Sequence, residues 1–314
     1  MISCTEFIPA YSELFSYLDD KYGRDEVDAF WEYLFKPTGD GIPLINFVKR
    51  EGIRGCYSYW AGTLNEEAAS FTMYLNEKRG FFYLAMHKCP SKGRLLSLKD
   101  KIGIEPYKDY CLHCDHYRAA IEKVGLKYLY NFEGVNHASC SLLIYDPDIF
   151  DGRVVIDEDT CIMDRDAADN EYFHLDFHSS MNMGIEYLGK KGGVAEVAAY
   201  LSRYTKNVYR RELARVRENG LVALEDIIRS TYEKEKAPDA VSFEKENDSL
   251  TVRIAYCPAV KHLRKTGRTV SDFYPYTTEV VMAAFAKEAD LDFTMISYDK
   301  ETGASVYKFQ KATS

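Results

Sequence analysis

The chain has 314 residues, of which 46% are hydrophobic and 28% charged, and its formal net charge is −9. This composition suits two ordinary globular cores and excludes the disordered class. The negative charge disfavours nonspecific binding to nucleic acid. Because the sequence lacks both an apolar run of about 18 residues and a signal-peptide start, we expect neither membrane insertion nor secretion. The eight scattered cysteines indicate reduced thiols in a cytoplasmic protein, not a disulfide framework.

The first half of the chain predicts helices, then a strand, a helix and a hairpin. Amphipathic spacing predicts helices over Tyr11–Tyr22 and Asp25–Phe35. The apolar run Phe81–Met86 predicts a buried strand that ends near Cys89-Pro90, because proline cannot donate to a central ladder. A helix over Asp115–Val124 follows, and a hairpin around the turn EGVNHA closes this half.

The second half predicts the same order of elements. It begins with predicted helices over Met183–Leu188 and Val194–Arg217. A predicted strand over Leu250–Ala255 ends at Cys257-Pro258, and a further helix is predicted over Thr278–Ala289. A hairpin around the turn YDKETGA follows them. Helices and antiparallel hairpins therefore mix within each half, which favours the α+β class.

The two halves also share residues at a nearly constant offset. The segments YLDDKYGRDEVDAF and YLGKKGGVAEVAAY begin at Tyr17 and Tyr187, an offset of 187 − 17 = 170. The Cys-Pro dipeptides at Cys89 and Cys257 are offset by 257 − 89 = 168. A repeat this long is a whole folding unit, so we predict two pseudo-symmetric copies of ~150 residues, each with amphipathic helices packed on a small antiparallel sheet. The predicted first repeat, linker and second repeat are 1–150, 151–170 and 171–314.

The second half also carries motifs of a known family. EYFHLDFH is followed by a Gly-Ile-x-Tyr-Leu helix, by GLVALEDIIRSTYEKE and by a strand ending in AYCPAVKHLRKTG. In this order of motifs the chain resembles the L-2-amino-thiazoline-4-carboxylic acid hydrolase family, with a weaker echo in the first half. The resemblance implies hydrolytic opening of a cyclic amidine, the aminothiazoline ring, to an N-carbamoyl amino acid. A more distant likeness to vinyl-reductase-type sensor domains implies zinc bound through cysteines.

The first candidate site is the HLDFH segment, with His174, Asp176 and His178 as candidate catalytic residues. On a strand the three side chains would share one side, as a metal site or a general-base cluster requires. On a helix the two histidines share a face and Asp176 turns away. The apolar spacing around the segment favours the helix, with Asp169 or Asn170 as its cap. The histidines could hold a metal or act on water, and a purely structural pair of histidines is the alternative.

A second candidate site combines Cys111, Cys114, His137 and Cys140. Their C-x2-C and H-x2-C spacings are typical of zinc ligands. A thiol at the start of a helix, as expected for Cys114, has a lowered pKa that favours metal binding or reactivity. A reactive C-x2-C pair and plain core cysteines remain as alternatives.

Further candidates surround the second Cys-Pro dipeptide. Cys257 is either a structural residue at a strand end or a nucleophile that attacks an amidine carbon. His262 follows closely, Arg210 could hold a substrate carboxylate, and Tyr209 could line a pocket. The sequence contains no Walker loop or Rossmann glycine pattern, so we predict no nucleotide cofactor.

Together these features predict a hydrolase of a small C–N-containing, cyclic amidine-like substrate, with zinc as the candidate cofactor. The expected partner is this small molecule, not nucleic acid or a membrane, and assembly into a homo-oligomer is left open. A small-molecule-binding sensor-like protein with a structural zinc and no catalysis is the alternative, and a non-catalytic partner protein is a third class.

Overall fold

The computed structural model describes residues 1–35, 43–166 and 172–311. The chain divides into two compact units. The terminal unit consists of Met1–Tyr17 and Leu175–Ser314, and the central unit consists of Leu18–His174. The boundary between them falls inside the first helix, α1 (Phe7–Tyr22). Within the described residues, no helix has both the length and the apolar character needed to cross a bilayer.

The central unit contains helices and a five-stranded antiparallel sheet. Its helices are α2 (Arg24–Phe35), α3 (Leu44–Glu51), α4 (Arg54–Glu66), α5 (Pro90–Ile102) and α6 (Tyr117–Glu122). Its strands are β1 (Ser70–Asn76), β2 (Phe81–Lys88), β3 (Lys127–Asn131), β4 (Cys140–Tyr145) and β5 (Cys161–Asp166). The strand order is β3-β4-β2-β1-β5, and neighbouring strands are antiparallel.

The core of the central unit forms between this sheet and α4. Side chains of a strand alternate between its two faces, and Phe71 and Met73 of β1 are fully buried on one face. Trp60 lies on the buried stripe of α4 and stacks on Phe82 of β2, with ring centroids 5.6 Å apart. Burial of such aromatic rings supplies much of the free energy that holds a helix against a sheet.

The terminal unit combines four further helices with a four-stranded sheet. Its helices are α7 (Phe177–Val208), α8 (Arg210–Lys234), α9 (Pro258–Lys265) and α10 (Tyr276–Glu288). Its strands are β6 (Val241–Glu246), β7 (Ser249–Ile254), β8 (Leu291–Tyr298) and β9 (Ser305–Lys311), in the antiparallel order β6-β7-β9-β8. A kink interrupts α7 where Gly193 takes a φ of 66°, a left-handed conformation that glycine adopts readily. The predicted α+β class is therefore confirmed.

The two units share a strand order. The order β3-β4-β2-β1 of the central sheet corresponds to β8-β9-β7-β6 of the terminal sheet, since each consists of two hairpins joined through their inner strands. Cys89 is the N-cap of α5 and directly follows β2, whereas Cys257 is the N-cap of α9 and follows β7 after two intervening residues. These matching positions support the duplication, which stays a prediction from the sequence.

The predicted linker, 151–170, is not an unstructured connection throughout. Residues Cys161–Asp166 form β5, which pairs with β1 at the edge of the central sheet. An edge strand can carry charges on its exposed face, and Thr72 of β1 donates to Asp164 of β5 at 3.0 Å. Part of the predicted linker is thus an edge strand, and 167–170 lie outside the described residues.

Candidate functional site

Three buried side chains from distant parts of the sequence meet in the terminal unit. Cys4 lies in a short 3-10 helix near the start of the chain, His178 lies in the first turn of α7, and Glu235 is the C-cap residue of α8. They are 1%, 1% and 4% exposed, respectively. Buried polar groups of this kind persist only when partners compensate for the lost water.

Hydrogen bonds hold the group together. His178 Nε2 and Glu235 Oε2 are 2.8 Å apart, and the backbone N–H of Cys4 donates to Glu235 Oε1 at 2.6 Å. One potential ligand atom from each residue, the thiol sulfur, an imidazole nitrogen and a carboxylate oxygen, lies within 4.8 Å of the other two. Among the described residues, no other three His, Cys, Asp or Glu side chains bring potential ligand atoms this close to one another.

Glu235 remains charged although it is buried. Burial alone would raise its pKa, but the hydrogen bond and charge of His178 lower it, as do hydrogen bonds from Ser3 and from the Cys4 amide. The net effect is a pKa below the ordinary value for glutamate. The group therefore offers an anionic oxygen at neutral pH.

The convergence is unlike that of a nucleophilic Cys-His-Glu relay. In a relay the thiol and the carboxylate bind opposite nitrogens of the imidazole, so the ring separates them. Here the Cys4 sulfur lies within 4.8 Å of a Glu235 carboxylate oxygen as well as of a His178 nitrogen. The three atoms therefore lie within 4.8 Å of one another, a separation that one shared metal ion could bridge.

The group could hold a metal ion. Thiolate, imidazole and carboxylate are all ligands that proteins use for divalent zinc. A metal at this position would displace the proton between His178 and Glu235, because both must bind it in their deprotonated forms.

The structure separates the residues of the HLDFH segment. His174 precedes α7, and its Nδ1 lies 2.7 Å from Glu66 Oε2 in the central unit. Asp176 is the N-cap of α7 and accepts a hydrogen bond from His262 Nε2 at 2.9 Å. The prediction that His174 and His178 share a helical face is wrong, because the helix begins only at Phe177. The predicted caps Asp169 and Asn170 lie outside the described residues.

The other predicted residues of the second repeat do not converge on one point. Cys257 is buried, its thiol contacts Met1 Sδ at 3.3 Å, and burial raises its pKa. Tyr209 is buried and donates its hydroxyl hydrogen to Glu6. Arg210 is exposed and donates to the carbonyl of Asn207 at 3.1 Å.

His262 is a predicted substrate-binding residue that lies near the group. Its ring centroid is 6.5 Å from that of His178, and its side chain is 13% exposed. Asp176, which is 43% exposed, fixes the orientation of the His262 ring. This pair is therefore near His178 and more accessible to solvent than the buried group.

The predicted zinc ligands of the first repeat do not assemble. Cys111, Cys114, His137 and Cys140 are all described, yet no three of them bring ligand atoms within 4.8 Å of one another. His137 is exposed on a short 3-10 helix. Burial raises the pKa of Cys111 to about 11 and that of Cys114 well above its ordinary value, so the expected effect of the helix dipole on Cys114 does not prevail.

Cys89 also lies near these cysteines. Burial, followed by the charges of Cys140 and Cys111, raises the pKa of Cys89 to about 12. The hydroxyl of Tyr130 is hydrogen-bonded to Cys140 and to Cys114. These contacts describe protonated thiols packed in a core, which is one of the alternatives left open by the sequence.

Sequence reasoning missed Cys4 and Glu235. Neither belongs to a motif with metal-ligand spacing, because 231 residues separate the bonded pair. One signal was available for Glu235: it follows Glu67 by 235 − 67 = 168 residues, the same offset as the Cys-Pro dipeptides. A search of family models, of curated proteins and of solved structures finds no match to this chain.

Proposed function

We propose that the terminal unit is a zinc-dependent hydrolase of a small C–N-containing substrate of the cyclic amidine type. The observation that carries the proposal is the convergence of the buried Cys4, His178 and Glu235. Three protein ligands around zinc leave a fourth position open, which is the pattern of catalytic zinc sites. The sequence motifs around EYFHLDFH and AYCPAVKHLRKTG supply the substrate class.

Zinc bound at this site would lower the pKa of a coordinated water molecule to near neutrality. In the proposed reaction the water oxygen would bond to the amidine carbon, the carbon–nitrogen double bond would become single, and its nitrogen would take up one proton of the water. The bond from that carbon to the leaving ring heteroatom would then break, the heteroatom would take up the second proton of the water, and the oxygen would remain as the carbonyl of the carbamoyl product. His262, held by Asp176, is the side chain placed to bind substrate beside the metal ligands.

A first experiment measures metal content and turnover together. The purified protein is loaded with Zn²⁺, dialysed and assayed for bound zinc by elemental analysis and for ring opening of an aminothiazoline carboxylate. We expect one zinc per chain in the wild type and a loss of both zinc and turnover in Cys4→Ala and His178→Ala. Cys257→Ala is the matched control, because it removes a buried thiol of the same unit that is not a ligand.

A second candidate function follows from the depth of the site. All three ligands are almost inaccessible to solvent, as in structural zinc sites, whose metal stabilises the fold without reacting. In that case the protein is a small-molecule-binding sensor-like protein. The experiment separates the two functions: both predict bound zinc, but only the hydrolase turns over a cyclic amidine.

A further inference from the structure

The hydroxyl group of Tyr274 is buried without a partner. Tyr274 is 1% exposed, and its hydroxyl has no hydrogen bond to any residue that the structure describes. Folded proteins rarely leave a buried hydroxyl unpaired. A water molecule or a ligand beside it would satisfy this hydroxyl.

The loop that carries Tyr274 is fixed to the face of α7 that carries His178. Asn182 follows His178 by about one helical turn and therefore lies on the same face. Its side chain donates to the carbonyl of Thr269 at 3.0 Å and accepts the backbone N–H of Ser271 at 2.8 Å. The carbonyl of Ser271 in turn accepts the backbone N–H of Tyr274 at 3.0 Å. One helix thus positions both the metal ligand and the loop.

The surroundings keep this phenol protonated. Burial raises the pKa of Tyr274 well above its usual value, and charges on Cys257, Tyr298, Glu235 and Cys4 raise it further. Two of these four residues are proposed metal ligands, so the hydroxyl lies within electrostatic reach of the site. At neutral pH it has a hydrogen to donate.

We infer that Tyr274 donates a hydrogen bond to the ligand held by the metal at the Cys4, His178 and Glu235 site. This inference rests on the proposed metal site and adds the chemical class of what binds there. The bound ligand presents a hydrogen-bond acceptor, the oxygen of water or hydroxide or an oxygen or nitrogen of a small anion. Tyr274 is then a residue that selects and orients this ligand, in addition to the three residues that hold the metal.

Azide binding to the Co²⁺-loaded protein tests this inference. Zn²⁺ has a filled d shell and gives no visible absorption, whereas Co²⁺ in the same site reports its ligands through its visible bands. We expect wild type and Tyr274→Phe to bind one Co²⁺ each, and azide to bind Tyr274→Phe roughly tenfold more weakly because one hydrogen bond is lost. Tyr200→Phe is the matched control, since the Tyr200 hydroxyl donates to the carbonyl of Ala10 at 2.7 Å. Its azide affinity should equal that of the wild type.

Three results would overturn the inference, and they can be told apart. Equal azide affinity in wild type and Tyr274→Phe, with one Co²⁺ bound to each, removes the role of Tyr274 and leaves the metal site intact. Bound Co²⁺ that takes up no azide in the wild type shows that the site has no exchangeable ligand. Absence of bound Co²⁺ in the wild type overturns the proposed metal site and this inference together.

Thermal melting of the metal-free protein gives an independent reading. An unpaired buried hydroxyl contributes no stability, so Tyr274→Phe should melt at the wild-type temperature or above it. Tyr200→Phe, which loses a buried hydrogen bond, should melt lower. A clear drop in the melting temperature of metal-free Tyr274→Phe would mean that the hydroxyl has a partner within the protein, which contradicts the inference.

Discussion

Glu67 and Glu235 occupy the same position in their respective units, and their pKa values shift in opposite directions. Each is the C-cap residue of the helix that precedes the first hairpin of its sheet. Burial, partly offset by His174 and increased by Glu66, raises the pKa of Glu67 to about 7. Hydrogen bonds from His178 and its neighbours lower that of Glu235 in spite of burial. The difference lies in contact: His178 is 2.8 Å from Glu235, whereas His174 Nε2 is 3.9 Å from Glu67.

The raised pKa of Glu67 predicts a pH dependence of stability. The folded protein holds a proton on Glu67 up to a pKa of about 7, whereas the unfolded chain loses it near the ordinary value of 4.5. The Glu67 contribution to stability is thus greatest below pH 4.5 and declines until the pH passes 7. The charged groups and phenol that face it are Glu66, His174 and Tyr117.

Glu67→Gln should remove this dependence and raise the free energy of unfolding at pH 8 by about 1–3 kcal/mol. Denaturant titrations at pH 5 and pH 8 measure the change, with the exposed Glu32→Gln as the control. A wild-type stability that rises between these two pH values while that of Glu67→Gln stays level would be the opposite result.

Two histidine variants separate the buried group from the predicted HLDFH pair. His178 and Glu235 have side chains that are 1% and 0% exposed, so His178→Ala leaves a buried unpaired carboxylate and should cost about 3–5 kcal/mol. The hydrogen-bonded acid of His174, Glu66, is 59% exposed, and Glu67 is 3.9 Å away, so His174→Ala should cost only about 1 kcal/mol. Denaturant titrations measure both changes. Equal losses in the free energy of unfolding of the two variants would contradict the prediction that, of the two histidines, only His178 is hydrogen-bonded to a buried acid.

The contact between His178 and Glu235 also predicts how the stability of the protein changes at low pH. The pKa of Glu235 is lowered by folding, so its contribution is fully present above the unfolded pKa of about 4.5 and disappears as the pH falls through the lower folded value. The loss of stability on acidification should therefore be smaller in Glu235→Gln than in the wild type. Equal losses on acidification in the two proteins would show that Glu235 carries no such linkage.

Gly189→Ala tests the packing that positions the loop of Tyr274. A Cβ atom at Gly189 would lie 2.1 Å from the ring of Phe273, so the ring and its loop would have to move. We expect a loss of about 1–3 kcal/mol in the free energy of unfolding, in spite of the better helix propensity of alanine. Gly62→Ala, in α4, is the control, because nothing lies near its added Cβ. A stabilised Gly189→Ala would contradict this packing.

Thiol reactivity tests the description of the central cysteines. Cys161 is exposed on β5, whereas Cys56 is buried and burial pushes its pKa far above the usual range. In the native protein at pH 7, Cys161 should react first with iodoacetamide, and Cys161→Ser should lose this fast phase. Mass spectrometry identifies the modified peptide. Rapid labelling of Cys114 instead would show that its thiol is activated, as the sequence alone suggested.

Local signals in the sequence predicted several elements well. The helix predicted over Asp25–Phe35 is α2, and the strand predicted over Phe81–Met86 is β2. The strands β1 and β6 were not predicted. In β6 only Val241 and Phe243 are apolar and four of the six residues are exposed, so its apolar pattern is weak. Strand pairing, and not local composition, decides such a segment.

The candidate site could be predicted only in part. His178 was identified by its motif. Its partners were not, because Cys4 and Glu235 are brought to it by the packing of the chain start and the end of α8 in one unit. Spacing rules describe ligands that lie close in sequence, and they fail when three separate segments supply one ligand each.

X-ray absorption at the zinc edge of the zinc-loaded protein identifies the atoms that bind the metal. We expect one sulfur at about 2.3 Å and nitrogen or oxygen neighbours at about 2.0–2.2 Å, with the sulfur lost and the zinc content reduced in Cys4→Ala. A shell of three or four sulfurs would place the metal among Cys89, Cys111, Cys114 and Cys140. That result, or wild-type protein that retains no zinc, would contradict a metal centre at Cys4, His178 and Glu235.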